Sequence, residues 1–429
     1  MTAWQSPIAP GMSWYQTSAG ERPTYPALDG SRATDVAIIG GGYTGLQAAF
    51  CLASAGVSVT LIEACRVGDG ASGRNGGQLG TGQRWWPEEQ EETLGLERSR
   101  ALFDMAEHAK RYLLDFADKH GIDADYVAGH MSVAHKPGHE RDYRANAEIA
   151  ASRYDYPYLS YMDRKETAER LGSNHYHCGV YDAGTGHIHP LKLLIGLART
   201  AAAAGAAIHE NTPATSIAQT GGKTLIETPG GTITASRVLI ATNAHIGRLE
   251  PVTAAHVMPI RSFIGATAPL DAHPTILAGH ESVADSRFVV RYFRKLQNGQ
   301  LLFGGREAYT ADSPRDMSRH IRRQIAEIYP ALADVEITHS WGGSVGITLT
   351  REPFVREVMP GVMSVGGYSG HGVMLSNYCG KLYADMTLGK ATELSYLADL
   401  NVPAFPGGTR LRAPLLFLAL TWYALRDRF

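Results

Sequence analysis

Residues 34–63 read TDVAIIGGGYTGLQAAFCLASAGVSVTLIE, and this stretch decides the fold. Thr34 to Ile39 is a short apolar run of buried-strand type that passes directly into Gly40-Gly-Gly-Tyr-Thr-Gly45. Leu46 to Ala55 is apolar all round and stops at Gly56, as a buried helix with a glycine cap would. Val57 to Ile62 is a second strand, ending at Glu63. The whole is a βαβ unit of about thirty residues with its glycines at the strand-to-helix turn. Gly40 allows the tight turn, Gly42 lets the backbone approach a pyrophosphate, and Gly45 lets helix and strand pack closely. The helix N-terminus, with Tyr43 and Thr44 in its turn, offers N–H donors and a positive dipole to phosphate. Glu63 stands where a carboxylate accepts hydrogen bonds from an adenosine ribose. A lone G-x-G-x-x-G says little in a chain with 47 glycines; between a strand and a helix, with the acid at the right remove, it points to a dinucleotide.

The wider composition agrees. The 429 residues suggest two or three domains, and 44% hydrophobic against 19% charged residues excludes a disordered or fibrous chain. Forty basic and 42 acidic residues leave a net charge of -2, which argues against nucleic acid, where a cationic face normally releases counterions. Cys51, Cys65, Cys178 and Cys379 are scattered without C-x-x-C spacing. They suggest neither a disulfide framework nor a zinc site, and fit a reducing cytoplasm. The first thirty residues lack a basic start and an apolar run of signal-peptide length. Nowhere does the chain reach the roughly eighteen apolar residues of a membrane span. Pro414 to Leu425 (PLLFLALTWYAL), flanked by Arg410, Arg412, Arg426 and Arg428, reads as a packed terminal helix, with a helix resting in a membrane interface as the alternative.

Along the chain, Gly68 to Gln78 is a glycine-dense loop where a nicotinamide dehydrogenase would more often continue with regular βα units. It suits close contact with an extended cofactor, with Ser72, Arg74 and Asn75 able to bond phosphate or ring; a surface loop is the plainer reading. Residues 95–120 read as a helix, 126–134 as a strand, and a further helix runs to Ser152. Pro190 opens a helix over 191–204, after Gly186-His-Ile-His189. Short strands fill 206–244 and end in Arg237-Val-Leu-Ile-Ala-Thr-Asn243, a meander returning to the parallel sheet. A second strand-rich block spans about 256–350, with apolar runs at Phe288-Val-Val290 and Leu301-Leu-Phe303 and a helix near 315–329. Val362 to Val373 then repeats the strand, glycine loop and helix, so the chain returns to the cofactor at its end.

Six segments carry a resemblance to the D-amino-acid oxidase family of FAD enzymes: Gly40–Gly45, Glu63-Ala64, Gly70–Gln78, Gly186–Pro190, Ala241–Ala244 and Gly366–Gly372. Ser13-Trp-Tyr15, the Arg74-Asn-Gly-Gly-Gln78 loop, the His-Ile-His-Pro pair and the tail from Phe405 to Arg428 resemble its glutamylputrescine-oxidising branch. The resemblance implies an α/β (α+β) fold of glutathione-reductase-like type: a Rossmann-like FAD-binding domain and a discontinuous sheet-based substrate domain. Its expected division is a leader at 1–33, FAD-binding segments at 34–110, 178–250 and 355–400, substrate segments at 111–177 and 251–354, and a helical tail at 401–429. FAD contacts are implied at Gly40, Gly42, Tyr43, Thr44, Gly45, Glu63 and Ala64. Others fall at Gly70, Ala71, Ser72, Arg74, Asn75, Gly76, Gly77 and Gln78, and at Ala214, Thr242, Asn243 and Gly343. The last loop adds Gly367, Tyr368, Ser369, Gly370, His371, Gly372 and Val373. It also implies oxidation of a C–N bond by hydride transfer to flavin N5, hydrolysis of the imine to an aldehyde or keto product, and peroxide from oxygen. Gly343 to Thr348 has no cysteine at the place of covalent attachment, so the FAD is expected to be noncovalent. Gly299 to Gly304 lacks the lysine that sarcosine-oxidase-like members carry, which leaves oxidase against dehydrogenase open.

Among side chains that would act, His371 either adds charge at the flavin edge or bonds backbone in its turn. Arg287, Arg291, Tyr292, Arg294 and Arg306 cluster in the roof, and alternation puts Arg291 with Phe293 on one face and Tyr292 with Arg294 on the other. An arginine facing the pocket would clamp a carboxylate; solvated arginines on an edge are the plainer reading. Trp85 and Trp86 either wall the substrate side of the ring or pack in the core. His175, His177, His187 and His189 form two H-x-H pairs, but no carboxylate or cysteine completes a metal site. The expected partners are a small amine or amino-acid substrate and oxygen or another electron acceptor. Two rivals remain: an amino-acid dehydrogenase or deaminase passing electrons to a quinone, and, more remotely, a flavin module acting on tRNA.

Overall fold

The structure, a computed structural model, describes residues 12–308 and 316–409. The strand Arg32–Ile39, the helix Tyr43–Ser54 and the strand Val59–Ile62 form the expected unit, with the two strands parallel. All four residues of the second strand are buried, which is why its sequence shows no polar alternation. Around them the first sheet runs in the order Phe354–Met359, Val362–Gly366, Gly231–Ile240, Arg32–Ile39, Val59–Ile62 and Ala207–His209. Neighbours in that order are parallel except at the Phe354–Met359 edge. Ser216–Thr220 and Lys223–Thr228 form the meander that leads into Gly231–Ile240. The helices Leu96–Lys119, Pro190–Ala203 and Gly372–Thr387 pack with the Tyr43–Ser54 helix over a core of Leu46, Leu52, Leu61, Leu102, Leu197 and Leu375.

The second sheet has eight strands in the order Ile337–Ile347, Met258–Pro269, Gln300–Ala308, Tyr292–Lys295, Ser282–Asp285, Val127–Val133, Gly179–His187 and Leu159–Met162. One face packs Phe293 and Phe303 against Ile321, Ile325 and Ile328 of the helix Met317–Ile328. The other carries Ile264, Leu302 and Trp341, packed with Tyr15 and Leu191.

Three expectations change. Gly179–His187 belongs to the second sheet, paired with Val127–Val133, so the boundary expected at 178 moves to the Ile188–Pro190 junction. Phe288–Val290 is a half-buried bend between short strands, because Asp285 accepts from the backbone N–H of Arg287 and Arg291 and turns the chain. The segment expected as a leader is built into the fold: Ser13 and Gln16 form a capping box for the helix Trp14–Ser18, and Tyr15 is fully buried. Of the expected tail, Phe405 packs on Met258, Ile260 and Ile347, while Pro414–Leu425 lies outside the described residues, as does the Arg306 side chain. No helix of the described residues is long and apolar enough to cross a membrane.

Candidate active site

The first glycine turn behaves as its spacing requires. Gly40 has φ +115°, and a Cβ there would stand 2.7 Å from the Ala241 carbonyl oxygen of the neighbouring strand. At Gly45 it would stand 2.0 Å from the Gly40 carbonyl oxygen. Glu63 closes the turn from the far strand: Oε2 accepts from the Gly41 N–H at 2.7 Å and Oε1 from the Cys65 N–H at 3.0 Å. Burial raises the Glu63 pKa against the pull of those two donors. Ser72 Oγ accepts from the Tyr43 N–H at 3.2 Å and so lies across the helix N-terminus. Between these groups opens a cavity of about 790 Å³, lined also by Ala64, Gly70, Ala71, Ala214, Thr242 and Asn243. The buried Thr242 Oγ1 has no hydrogen-bond partner. A helix N-terminus, a carboxylate with spare lone pairs and an unsatisfied hydroxyl around one cavity suit the phosphates and ribose of an adenine dinucleotide.

Several side chains expected to touch the cofactor fasten the glycine-rich loops together. Tyr43 donates its hydroxyl to the Pro190 carbonyl at 2.8 Å, and the Thr44 and Tyr368 hydroxyls bond each other at 2.8 Å, tying the first glycine loop to the last. Asn75 donates to the Ala71 and Ser72 carbonyls and accepts from the Gly77 N–H, so its polar groups fold the 71–77 loop on itself. Arg74, buried, donates from Nε to the Gly342 carbonyl at 2.7 Å, beside Gly343, while its own carbonyl accepts from the Trp341 indole. Gln78 donates to the Val283 carbonyl. Asn243 Oδ1 accepts from the Gly367 N–H at 2.9 Å. Ser369, at φ +51°, takes Thr348 N–H on its hydroxyl, and Gly370 follows at φ +90°. Gly372 and Val373 then open the Gly372–Thr387 helix. These residues shape the site through the backbone they hold.

The roof sheet separates the arginines. Tyr292 and Arg294 face the glycine loop: a Cβ on Gly76 would meet Tyr292 Cε2 at 2.8 Å, and one on Gly77 would meet Arg294 Nη2 at 2.9 Å. The Tyr292 hydroxyl is 3.3 Å from Ser262 Oγ. Arg291 lies on the opposite face, ion-paired with Glu327, and Arg287 is paired with Asp285. Neither is the expected carboxylate clamp. Arg294 is 2% exposed; Nη1 bonds His187 Nδ1 and Nη2 donates to the Tyr15 hydroxyl at 3.0 Å. Sequence reasoning noted Tyr15 only as part of a resemblance, and no local signal reports a partner 279 residues away.

His187, His189 and His371 hold structure, and burial lowers the pKa of each. His187 Nε2 bonds the His280 carbonyl at 2.8 Å, which places the proton there and leaves Nδ1 to accept from Arg294; burial and the Arg294 charge push its pKa down to about 2. His189 Nδ1 accepts from the Lys192 N–H and caps the Pro190–Ala203 helix, its pKa lowered by burial to about 3. His175 bonds Arg287, and among the described residues no group of three or more His, Cys, Asp or Glu could hold a metal. His371 leans on Gly80 and bonds the Gly82 carbonyl at 3.0 Å, so Nε2 carries the proton. Burial, with Arg84 nearby, lowers its pKa to about 4. The side chain thus bonds backbone, at Gly82 and not in its own turn, and the lowered pKa keeps it neutral near pH 7. Trp85 is 38% exposed with its indole donating to the Thr350 carbonyl, and Trp86 packs edge-on against Tyr143.

The family model for FAD dependent oxidoreductases (DAO) matches residues 35–386. The chain is 68% identical over 426 residues to a probable oxidoreductase OrdL of Rhizobium meliloti, covering 99% of this chain and all of that protein. It is 32% identical over 419 residues to gamma-glutamylputrescine oxidoreductase of Escherichia coli, covering 97% and 98% of the two chains. Glycine oxidase from Geobacillus kaustophilus shares the architecture with a TM-score of 0.71 and 25% identity, over 84% of this chain and 96% of that one. L-Proline dehydrogenase from P. horikoshii shares the fold, with a TM-score of 0.71 at 20% identity over 91% of this chain and 99% of that one. With the family model spanning both sheets and the likeness running nearly end to end, the chain belongs to the DAO family of FAD-dependent oxidoreductases and is an enzyme whose cofactor is FAD.

Proposed function

We propose that the protein oxidises the C–N bond of a small amine, gamma-glutamylputrescine or a close chemical relative, using noncovalent FAD and oxygen. The observation that carries this reading is the likeness to the Escherichia coli gamma-glutamylputrescine oxidoreductase along almost the full length of both chains. The roof supports it. Arg287 and Arg291 are committed to carboxylates on the far face and Arg294 is buried, so Tyr292, with Ser262 beside it, faces Gly76. A phenol and a hydroxyl suit an uncharged amine end better than a carboxylate. FAD, when bound, supplies the two-electron acceptor. In balance, R–CH2–NH2, O2 and H2O give R–CHO, NH3 and H2O2. Tyr292 and the Gly76–Gly77 backbone would fix the donor carbon's approach, and the neutral His371 holds the Gly80–Gly82 segment against the last loop. None of the four cysteines lies on Ile337–Ile347, in keeping with noncovalent binding.

The test is anaerobic mixing of purified yellow protein with gamma-glutamylputrescine, putrescine, glycine and L-proline, followed by air. Bleaching by the glutamylated amine and peroxide on aeration are expected. Bleaching by amino acids alone, with reoxidation only by a quinone, would replace this reading with a dehydrogenase.

A further inference from the structure

Arg294 is a buried cation without a counter-ion. It is 2% exposed, and among the described residues no carboxylate lies within ion-pairing distance of it. Its partners are the His187 ring and the Tyr15 phenol, and its Nε has none. Both partners are neutral: His187 has its proton on Nε2, bonded to the His280 carbonyl, and burial raises the Tyr15 pKa. A buried charge is ordinarily paired, because leaving it unpaired costs several kcal/mol. The neighbouring roof arginines obey that rule, Arg287 with Asp285 and Arg291 with Glu327. Arg294 alone of the three faces the glycine loop, with Nη2 packed behind Gly77. Its rigidity is provided for: Tyr15 is wholly buried among Trp14, His189 and Trp341, so the guanidinium cannot swing out to solvent.

We propose that Arg294 is an electrostatic positioning residue whose uncompensated charge, held behind the Gly76–Gly77 peptides by His187 and Tyr15, favours negative charge on the flavin. The proposal rests on the reading that this loop borders the flavin ring, and it is independent of which amine is oxidised. In a water-excluded interior a fixed charge acts with little screening and costs no reorganisation when negative charge develops. Its effect therefore appears in equilibria of the bound flavin that need no substrate.

The experiment compares the wild-type holoprotein with Arg294→Gln and Arg294→Lys. Two quantities are measured: the flavin reduction potential against reference dyes, and the dissociation constant for sulfite, which adds to oxidised flavin as an anion. Arg294→Gln should weaken sulfite binding by about tenfold and lower the potential by about 30 mV, the same factor for a two-electron couple. Arg294→Lys, which keeps the charge, should stay within roughly threefold of wild type, less than half of that free-energy change. An Arg294→Gln protein that binds FAD with unchanged potential and sulfite affinity overturns the proposal. So does an Arg294→Lys protein that loses as much as Arg294→Gln, since shape and not charge would then matter. Should Arg294→Gln not fold, Arg294→Lys decides: retention supports the charge, a tenfold loss refutes it. If no amine bleaches the flavin while these shifts appear, the proposed substrate fails and the role of Arg294 stands.

Discussion

Replacing Glu63 by glutamine tests the dinucleotide end of the site at one atom. Each carboxylate oxygen holds one backbone N–H, Gly41 at 2.7 Å and Cys65 at 3.0 Å, and keeps a lone pair toward the cavity for a ribose hydroxyl. Glutamine has one acceptor oxygen, so one N–H meets an NH2 group and one ribose hydroxyl loses its acceptor. A hydrogen bond to a charged group contributes about 1.5–3 kcal/mol. Losing the ribose bond should weaken FAD binding about 10- to 100-fold. Fluorescence titration of the apoprotein with FAD measures this, and FMN, which lacks the adenosine, is the control. FAD affinity within twofold of wild type would refute the assignment; equal losses for FAD and FMN would show that Glu63 acts by holding the turn and not by meeting the ribose. The pH dependence has a defined sign as well. Because burial raises the Glu63 pKa, its ionised form costs stability that sets in as pH rises from the ordinary carboxylate range through the raised value. The Glu63→Gln protein lacks that slope.

Gly76→Ala should push on the Tyr292 ring, 2.8 Å from the new Cβ, and cost about 1–3 kcal/mol in urea unfolding. Adding Tyr292→Ala should recover part of that loss, so the two changes are non-additive; full additivity would mean that the ring and the loop do not touch. Arg291→Ala, on the far face with Glu327, should leave KM for the amine unchanged within twofold, whereas a large rise in steady-state assays would restore the carboxylate clamp. His187 and His189, with pKa values lowered to about 2 and about 3, contribute stability that is present above pH 6.5 and lost as pH falls toward those values. Each should remove about 2 kcal/mol between pH 6.5 and 5. Urea midpoints at the two pH values check this, and His189→Gln should make the fall shallower.

Local grammar was readable because it acts over a few residues. The turn at Gly40 needs a positive φ, and the glycine there, the apolar strands and Glu63 all lie within one short segment. Strand alternation separated Arg291 from Arg294, but it could not say which face met the Gly76–Gly77 loop, which lies more than 200 residues earlier. The same limit hid Glu210, wholly buried and accepting from the Tyr25 and Val67 N–H groups, which ties the N-terminal segment to the nucleotide sheet. Residue type did not report which partners the loop side chains bond. Thr44, Asn75 and Tyr368 stand in or beside glycine-rich loops, and their polar groups satisfy other parts of those loops.

The first sheet takes Arg32–Ile39 and Val59–Ile62 from near the start of the chain and Val362–Gly366 from near its end. On a ribosome adding about 5–20 residues per second, roughly 15–60 s separate the emergence of these strands. For that interval the glycine turn at Gly40 lacks the Tyr368 hydroxyl that braces Thr44, and Gly231–Ile240, once made, waits roughly 6–24 s for Val362–Gly366. The nascent enzyme thus carries an unbraced glycine turn through most of its synthesis and an open parallel-sheet edge through its later part. The brace across the two glycine loops can close only after the last loop has left the exit tunnel.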